Sequence, residues 1–234
     1  MKVLGWIMLP AIALALTLGA AWAQDAEKNP EKKGDARSED KPAAGKDSEK
    51  PKDVGEAEPE FATVGKKAPA FTLKNADGKE VKLSDYAGKI VVLEWINLDC
   101  PWCKAHYDDK DELVKQQKKL REDGGEWLVI CSSGKGKQGH FEGETLAGRI
   151  KKAGLENSKY LIDTDGAVGK QYKAATTPHA YVIDKEGVLR YAGALDNLPA
   201  QRRSKADPVN YVADAVKALL DGKEVATTEV KPYG

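Results

Sequence analysis

Two cysteines, Cys100 and Cys103, stand three apart in the stretch LDCPWCKAHY, with Pro101 and Trp102 between them. Sulfur at that spacing can close and open a redox-active disulfide, supply half of a metal site, or staple the chain. The staple is the weakest device, because so short a loop constrains little of the unfolded chain. A metal site needs further ligands, and His106 completes a C-x-x-C-x-x-H pattern, with His140 and His179 as more distant candidates. Covalent haem attachment is excluded, since Lys104 and not a histidine follows Cys103. A redox pair needs a thiolate, and a helix start favours one through its unpaired N–H groups and its dipole.

The neighbouring elements must supply that helix start. Pro101 suits a first helical position, and no Pro or Gly follows until Gly124 and Gly125. One helix is predicted there, with Tyr107, Leu113, Val114 and Leu120 facing inward. Ahead of it KIVVLEWIN, residues 89–97, reads as a central buried strand. Glu94 is the oddity in that run, because a buried acid is costly without a partner or a task. Burial would raise its pKa and suit it to take a proton from Cys103. A place on a strand edge, facing a lysine or solvent, is the alternative.

FTLKNADGKEVKL signals a hairpin around Asp77-Gly78, and EWLVICSS, residues 126–133, reads as the next strand. A helix is expected around Glu144 to Ala153, then YLID, a short helical piece AVGKQY, and the strand pair TTPHAYVID and GVLRYAGAL. The strand–helix–strand unit implies parallel pairing, and the final pair an antiparallel sheet edge. The last helix is expected to be capped by Asp207, opened by Pro208 and closed by Gly222, with Val209, Val212, Ala213, Val216, Leu219 and Leu220 in helical period.

The 234 residues carry 37 basic and 37 acidic side chains, which gives no electrostatic reason to expect nucleic acid or an anionic membrane as partner. Residues 1–23 have the pattern of a cleaved signal peptide, with an early Lys2, an apolar run to about Leu18 and Ala21-Trp22-Ala23 as cleavage site; a retained membrane anchor is the alternative. No membrane span is expected after cleavage. Residues 24–60 lack Leu, Ile, Met and aromatics, and read as a disordered charged linker. Residues 61–234 suit one domain.

VVLEWINLDCPWC resembles the active-site strand and helix start of the thioredoxin fold. TTPHAYVID resembles the loop of that superfamily that carries a cis-proline, here Pro178. With SSGKGKQGH and YAGALDN, these segments are similar to exported redoxins of the peroxiredoxin-like branch of the alkyl hydroperoxide reductase and thiol-specific antioxidant group, over about Val64 to Gly234. The resemblance implies an α/β, thioredoxin-like three-layer fold, a central mixed sheet flanked by helices, with an N-terminal hairpin extension. It implies Cys100 as nucleophile, Cys103 as resolving thiol and Glu94 as the buried acid. Pro101, Trp102, Thr177 and Pro178 would form the substrate-contacting surface, with Thr177 offering backbone groups to an extended chain.

The activity so implied is that of an exported, periplasmic thiol–disulfide oxidoreductase. Its partners would be protein thiols or disulfides and an upstream reductant or oxidant, with no cofactor and no metal ligand set. A thiol-dependent peroxidase is one alternative. Peroxiredoxins usually carry Thr or Ser three residues before their cysteine, where this chain has Asn97. A copper-binding chaperone on the same fold is the second alternative. The odd cysteine, Cys131, ends a hydrophobic strand, where a thiol packs as a small apolar group.

Overall fold

A computed structural model describes residues 61–107, 112–197 and 209–234 of the chain. The expected signal peptide and linker lie outside these residues, as do Asp207 and Pro208. Among the described residues no helix is long and apolar enough to cross a membrane.

Alternation of side chains across a strand gives each strand two faces, and this chain makes both apolar. The strands are β1 (Thr72–Asn75), β2 (Glu80–Lys82), β3 (Val91–Trp95), β4 (Glu126–Cys131), β5 (Tyr160–Ile162), β6 (His179–Ile183), β7 (Leu189–Gly193) and β8 (Glu229–Val230). They form one sheet in the order β2-β1-β5-β4-β3-β6-β7-β8. The β3, β4 and β5 pairings are parallel, whereas β6 runs antiparallel to both β3 and β7. On one face Val92, Ile96, Trp127, Val129, Ala180 and Val182 pack together; on the other, Val91, Leu93, Trp95, Leu128, Tyr181 and Ile183 do.

Helices α1 (Pro101–Tyr107), α2 (Glu112–Glu122), α3 (Gly143–Lys152) and α5 (Tyr211–Leu220) cover the first face through residues such as Cys103, Leu120, Ile150 and Val212. The short α4 (Ala167–Gln171) and the segment around Phe71 cover the second. The result is a thioredoxin-like α/β fold, as the resemblance implied. The hairpin turn is held by the Asn75 side chain, which accepts N–H bonds from Asp77 and Lys79. At the end of α2, Gly124 takes φ +85°, and a Cβ on Gly125 would lie 2.8 Å from the Ile90 carbonyl oxygen. Both glycines are therefore required where the chain turns from α2 into β4.

Two expectations need correction, and two details extend the reading. Of the helix expected after Pro101, α1 and α2 are described, and residues 108–111 between them lie outside the described residues. The β6–β7 pair is antiparallel but is not the edge, because β8 adds to β7 in parallel. Two short 3-10 helices, Leu83–Tyr86 and Asn157–Lys159, were not anticipated. The cap of α5 is Asn210, whose side chain accepts the Ala213 N–H at 2.8 Å. Val209 therefore precedes the helix and is exposed, while Val212 and Ala215 carry the buried stripe.

Candidate active site

The turn between β3 and α1 delivers Cys100. Asn97 builds it: its side-chain oxygen accepts the Asp99 N–H at 2.8 Å and its carbonyl accepts the Cys100 N–H at 2.9 Å. The Asn97 amide also donates to the Gln138 carbonyl at 3.2 Å, tying the turn to the loop after β4. Arg149 of α3 pairs with Asp99, fixing the residue next to the cysteine from a second element.

Cys100 and Cys103 both stand as reduced thiols. The Cys100 sulfur lies 3.0 Å from the Thr177 carbonyl oxygen. Its pKa is pulled down from 9.0 to about 5, first by a hydrogen bond from the Cys103 thiol and further by the N–H groups of Cys103 and Trp102, against the effect of burial. Cys103 is pushed the other way, well above the ordinary thiol range, by that same bond and by burial. The two sulfurs are thus differentiated: Cys100 is the readier of the two to ionise, and Cys103 holds its proton more tightly.

Glu94 lies on the same side of β3 as Val92 and Ile96, under α1, and is wholly buried. The strand-edge alternative is overturned, since β3 has β4 on one flank and β6 on the other. Tyr107 donates its hydroxyl to Glu94 Oε2 at 2.8 Å, and Trp127 donates its indole N–H to the same oxygen at 2.8 Å. Gln117 in turn donates to the Tyr107 hydroxyl at 3.1 Å. Oε1 is buried with no hydrogen-bond partner among the described residues. Burial raises the Glu94 pKa from 4.5 to about 7, and the Tyr107 and Trp127 bonds restrain the rise. An acid so held exchanges a proton near neutral pH.

The Thr177–Pro178 peptide is cis. Pro178 is buried, Thr177 is half-buried, and Pro101 and Trp102 lie at the surface beside them, Pro101 exposed and Trp102 half-buried. A cleft of about 350 Å³ reaches Cys103 and Tyr107 from the side of Asp99, Lys104 and Arg149. All the sequence-expected site residues therefore gather at the ends of β3 and β6 and the start of α1.

The histidines and the third cysteine take separate positions around this site. Among the described residues no three His, Cys, Asp or Glu side chains converge as a metal set. His106 faces Tyr233, with Nε2 3.0 Å from its hydroxyl, and His140 sits between the Ser133 carbonyl and Glu142. His179 points to the opposite face, where its Nδ1 accepts the Ala175 N–H at 3.3 Å and braces the loop before Pro178. Cys131 is buried, with its sulfur 3.6 Å from the Gly139 carbonyl oxygen.

Sequence reasoning missed Gln117, Trp127 and Tyr233 as parts of this neighbourhood. A signal existed for the first two. A buried carboxylate requires donors, and Trp127 lies on the same face of β4, two residues from Val129, the register partner of Glu94. Tyr107 was read as inward-facing from helical period alone.

With this geometry in hand, comparison with known proteins gives a consistent result. The family model described as "AhpC/TSA family" matches residues 64–192. The chain is 30% identical over 186 residues to the thioredoxin peroxidase of Echinococcus granulosus, covering 73% of this chain and 90% of that protein. It is 29% identical over 128 residues to the thiol-disulfide oxidoreductase ResA of Bacillus subtilis, covering 55% of this chain and 65% of the relative. Among solved structures, an uncharacterized conserved protein from Geobacillus kaustophilus superposes with a TM-score of 0.63 at 29% identity, covering 72% of this chain and 88% of that one.

Proposed function

The chain belongs to the AhpC/TSA family and is an oxidoreductase of the redoxin kind, and from that premise we propose that it is an exported thiol–disulfide oxidoreductase using Cys100 and Cys103 as its redox pair. One observation carries the reading: a thiolate-prone Cys100 lies against the Thr177 carbonyl with a protonated Cys103 beside it.

The Cys100 thiolate attacks one sulfur of a substrate disulfide. That S–S bond breaks, a mixed disulfide forms at Cys100, and the departing substrate sulfur takes a proton. Cys103 then loses its proton to the Glu94 carboxylate and attacks the Cys100 sulfur. The Cys100–Cys103 disulfide forms and the second substrate sulfur leaves, so the substrate gains two electrons and the protein pair gives up two. An upstream dithiol restores the reduced pair; the same residues run the exchange in reverse. Thr177 and Pro178, with Pro101 and Trp102, receive the substrate. The cleft at Cys103 and Tyr107 lets water take the proton onward.

Export rests on residues 1–23, with cleavage after Ala23, residues 24–60 as a tether and 61–234 as the working domain. A periplasmic or equivalent oxidising compartment suits a redox disulfide.

Peroxidase chemistry is the second reading, favoured by the similarity to a thioredoxin peroxidase over 73% of the chain. Against it, Asn97 stands where peroxiredoxins usually carry Thr or Ser, and its side chain holds the turn through the Asp99 N–H and the Gln138 carbonyl. The two readings separate in a stopped-flow experiment on the reduced protein, followed through tryptophan fluorescence. Hydrogen peroxide is expected to oxidise it no faster than it oxidises an ordinary thiolate, and a disulfide substrate orders of magnitude faster. A fast peroxide reaction that disappears in Cys100→Ser would make the protein a peroxidase.

A further inference from the structure

We propose that the segment Lys231–Gly234 is a strap over the redox centre, with Tyr233 as its latch, that admits small disulfides and holds extended polypeptide substrates out until it lifts. The inference rests on Thr177 and Trp102 forming the substrate surface, as proposed above.

The strap begins at an anchored point. β8 pairs in parallel with β7, Ala192 with Glu229 and Gly193 with Val230. The approach is so close that a Cβ on Gly193 would lie 2.1 Å from the Val230 carbonyl oxygen. From there the chain crosses to the cysteine pair. The Tyr233 ring packs on Trp102 with centroids 5.6 Å apart and stacks on His106 at 6.3 Å and 16°. Its hydroxyl donates to Asp196 and takes a bond from His106 Nε2 at 3.0 Å. The Thr176 hydroxyl donates to the Tyr233 carbonyl at 3.4 Å.

Gly234 completes the cover. A Cβ placed there would fall 2.5 Å from the Thr177 carbonyl oxygen and 3.0 Å from the Thr177 nitrogen. The Cys100 sulfur lies 3.0 Å from that same carbonyl oxygen. An extended substrate would need the Thr177 backbone and the face of Trp102, and residues 233 and 234 already occupy both. Cys100 retains only 9% of its exposure. A compact disulfide needs little more than the sulfur, whereas a polypeptide must displace the strap. Displacement needs the Tyr233 contacts to break, while β8 is only two residues long and Glu229 and Lys231 are exposed, so the opening stays local.

The test uses the whole chain, Tyr233→Ala, Tyr233→Phe and, as an independent way of lifting the strap, Gly234→Ala. Two pairs of probes differ in size: iodoacetamide against a polyethylene glycol maleimide on Cys100, read by peptide mass, and a small aromatic disulfide against insulin, read as turnover. Tyr233→Ala is expected to raise the rates of the bulky maleimide and of insulin about tenfold. The two small probes should change by less than about twofold. Tyr233→Phe keeps the ring contact and falls between. Gly234→Ala repeats the effect with the Tyr233 side chain retained and carries the test if Tyr233→Ala does not fold. No change with the bulky probes, or an equal change with large and small ones, overturns the strap. Faster bulky alkylation with no turnover of either disulfide would leave the cover in place and remove the exchange reading beneath it.

Discussion

Cys100→Ser is expected to abolish disulfide reduction. The expected loss is at least about 10³-fold, because a serine hydroxyl neither ionises near neutral pH nor forms a mixed disulfide, and no other thiol can stand in. Cys103 is 1% exposed and its proton is held far above the ordinary range, while Cys131 is buried at the end of β4. The substitution replaces a thiol by a hydroxyl that can still donate to the Thr177 carbonyl, so the fold should lose no more than about 1 kcal/mol. Insulin reduction by the variant, beside its thermal unfolding, separates the two effects. Residual turnover within about tenfold of the parent would move the nucleophile elsewhere.

Glu94→Gln separates catalysis from stability. If Glu94 takes the Cys103 proton, the resolving step slows by about 10²-fold or more, while the first attack by Cys100 is little changed. In the parent protein the resolving rate should rise with pH through about 7, as the carboxylate forms, and the variant should lose that inflection. Stability moves the opposite way. The folded pKa of Glu94 is raised, so its contribution to stability is fully present below the unfolded carboxyl pKa and is lost as pH rises through about 7. A neutral glutamine avoids the buried charge but leaves its amide N–H groups short of acceptors. The net gain at pH 8 should therefore be about 2 kcal/mol, below the ~3 kcal/mol that the full shift represents. Denaturant melts at pH 5 and pH 8 test this: equal effects of the substitution at both would mean that Glu94 does not titrate in between.

The geometry of the candidate site was legible in the sequence where it is local. Two cysteines, a helix-starting proline and a β-branched run fix one turn, and that turn sets the position of Cys100. Glu94 was legible as an anomaly, a charge where the strand pattern demands an apolar group. Its donors were not, because Trp127 and Gln117 reach it from β4 and α2, and only the register of β3 against β4 places them. The cover over the site was illegible for a related reason. β8 is a two-residue strand of unremarkable composition, held by the close approach of Gly193 and not by any apolar period of its own. The start of α5 was misplaced because Asp207-Pro208 is a strong local signal, whereas Asn210 caps the helix in the folded chain.

The most direct measurement is capture of the mixed disulfide by Cys103→Ala. With the resolving thiol removed, the reduced variant incubated with a disulfide-bonded polypeptide should accumulate a covalent adduct that reductant dissolves, and peptide mapping should place it at Cys100. The parent protein should accumulate almost none, because Cys103 clears it. An adduct mapped to Cys131, or no adduct although Cys100 is alkylated readily, would contradict disulfide exchange through this pair.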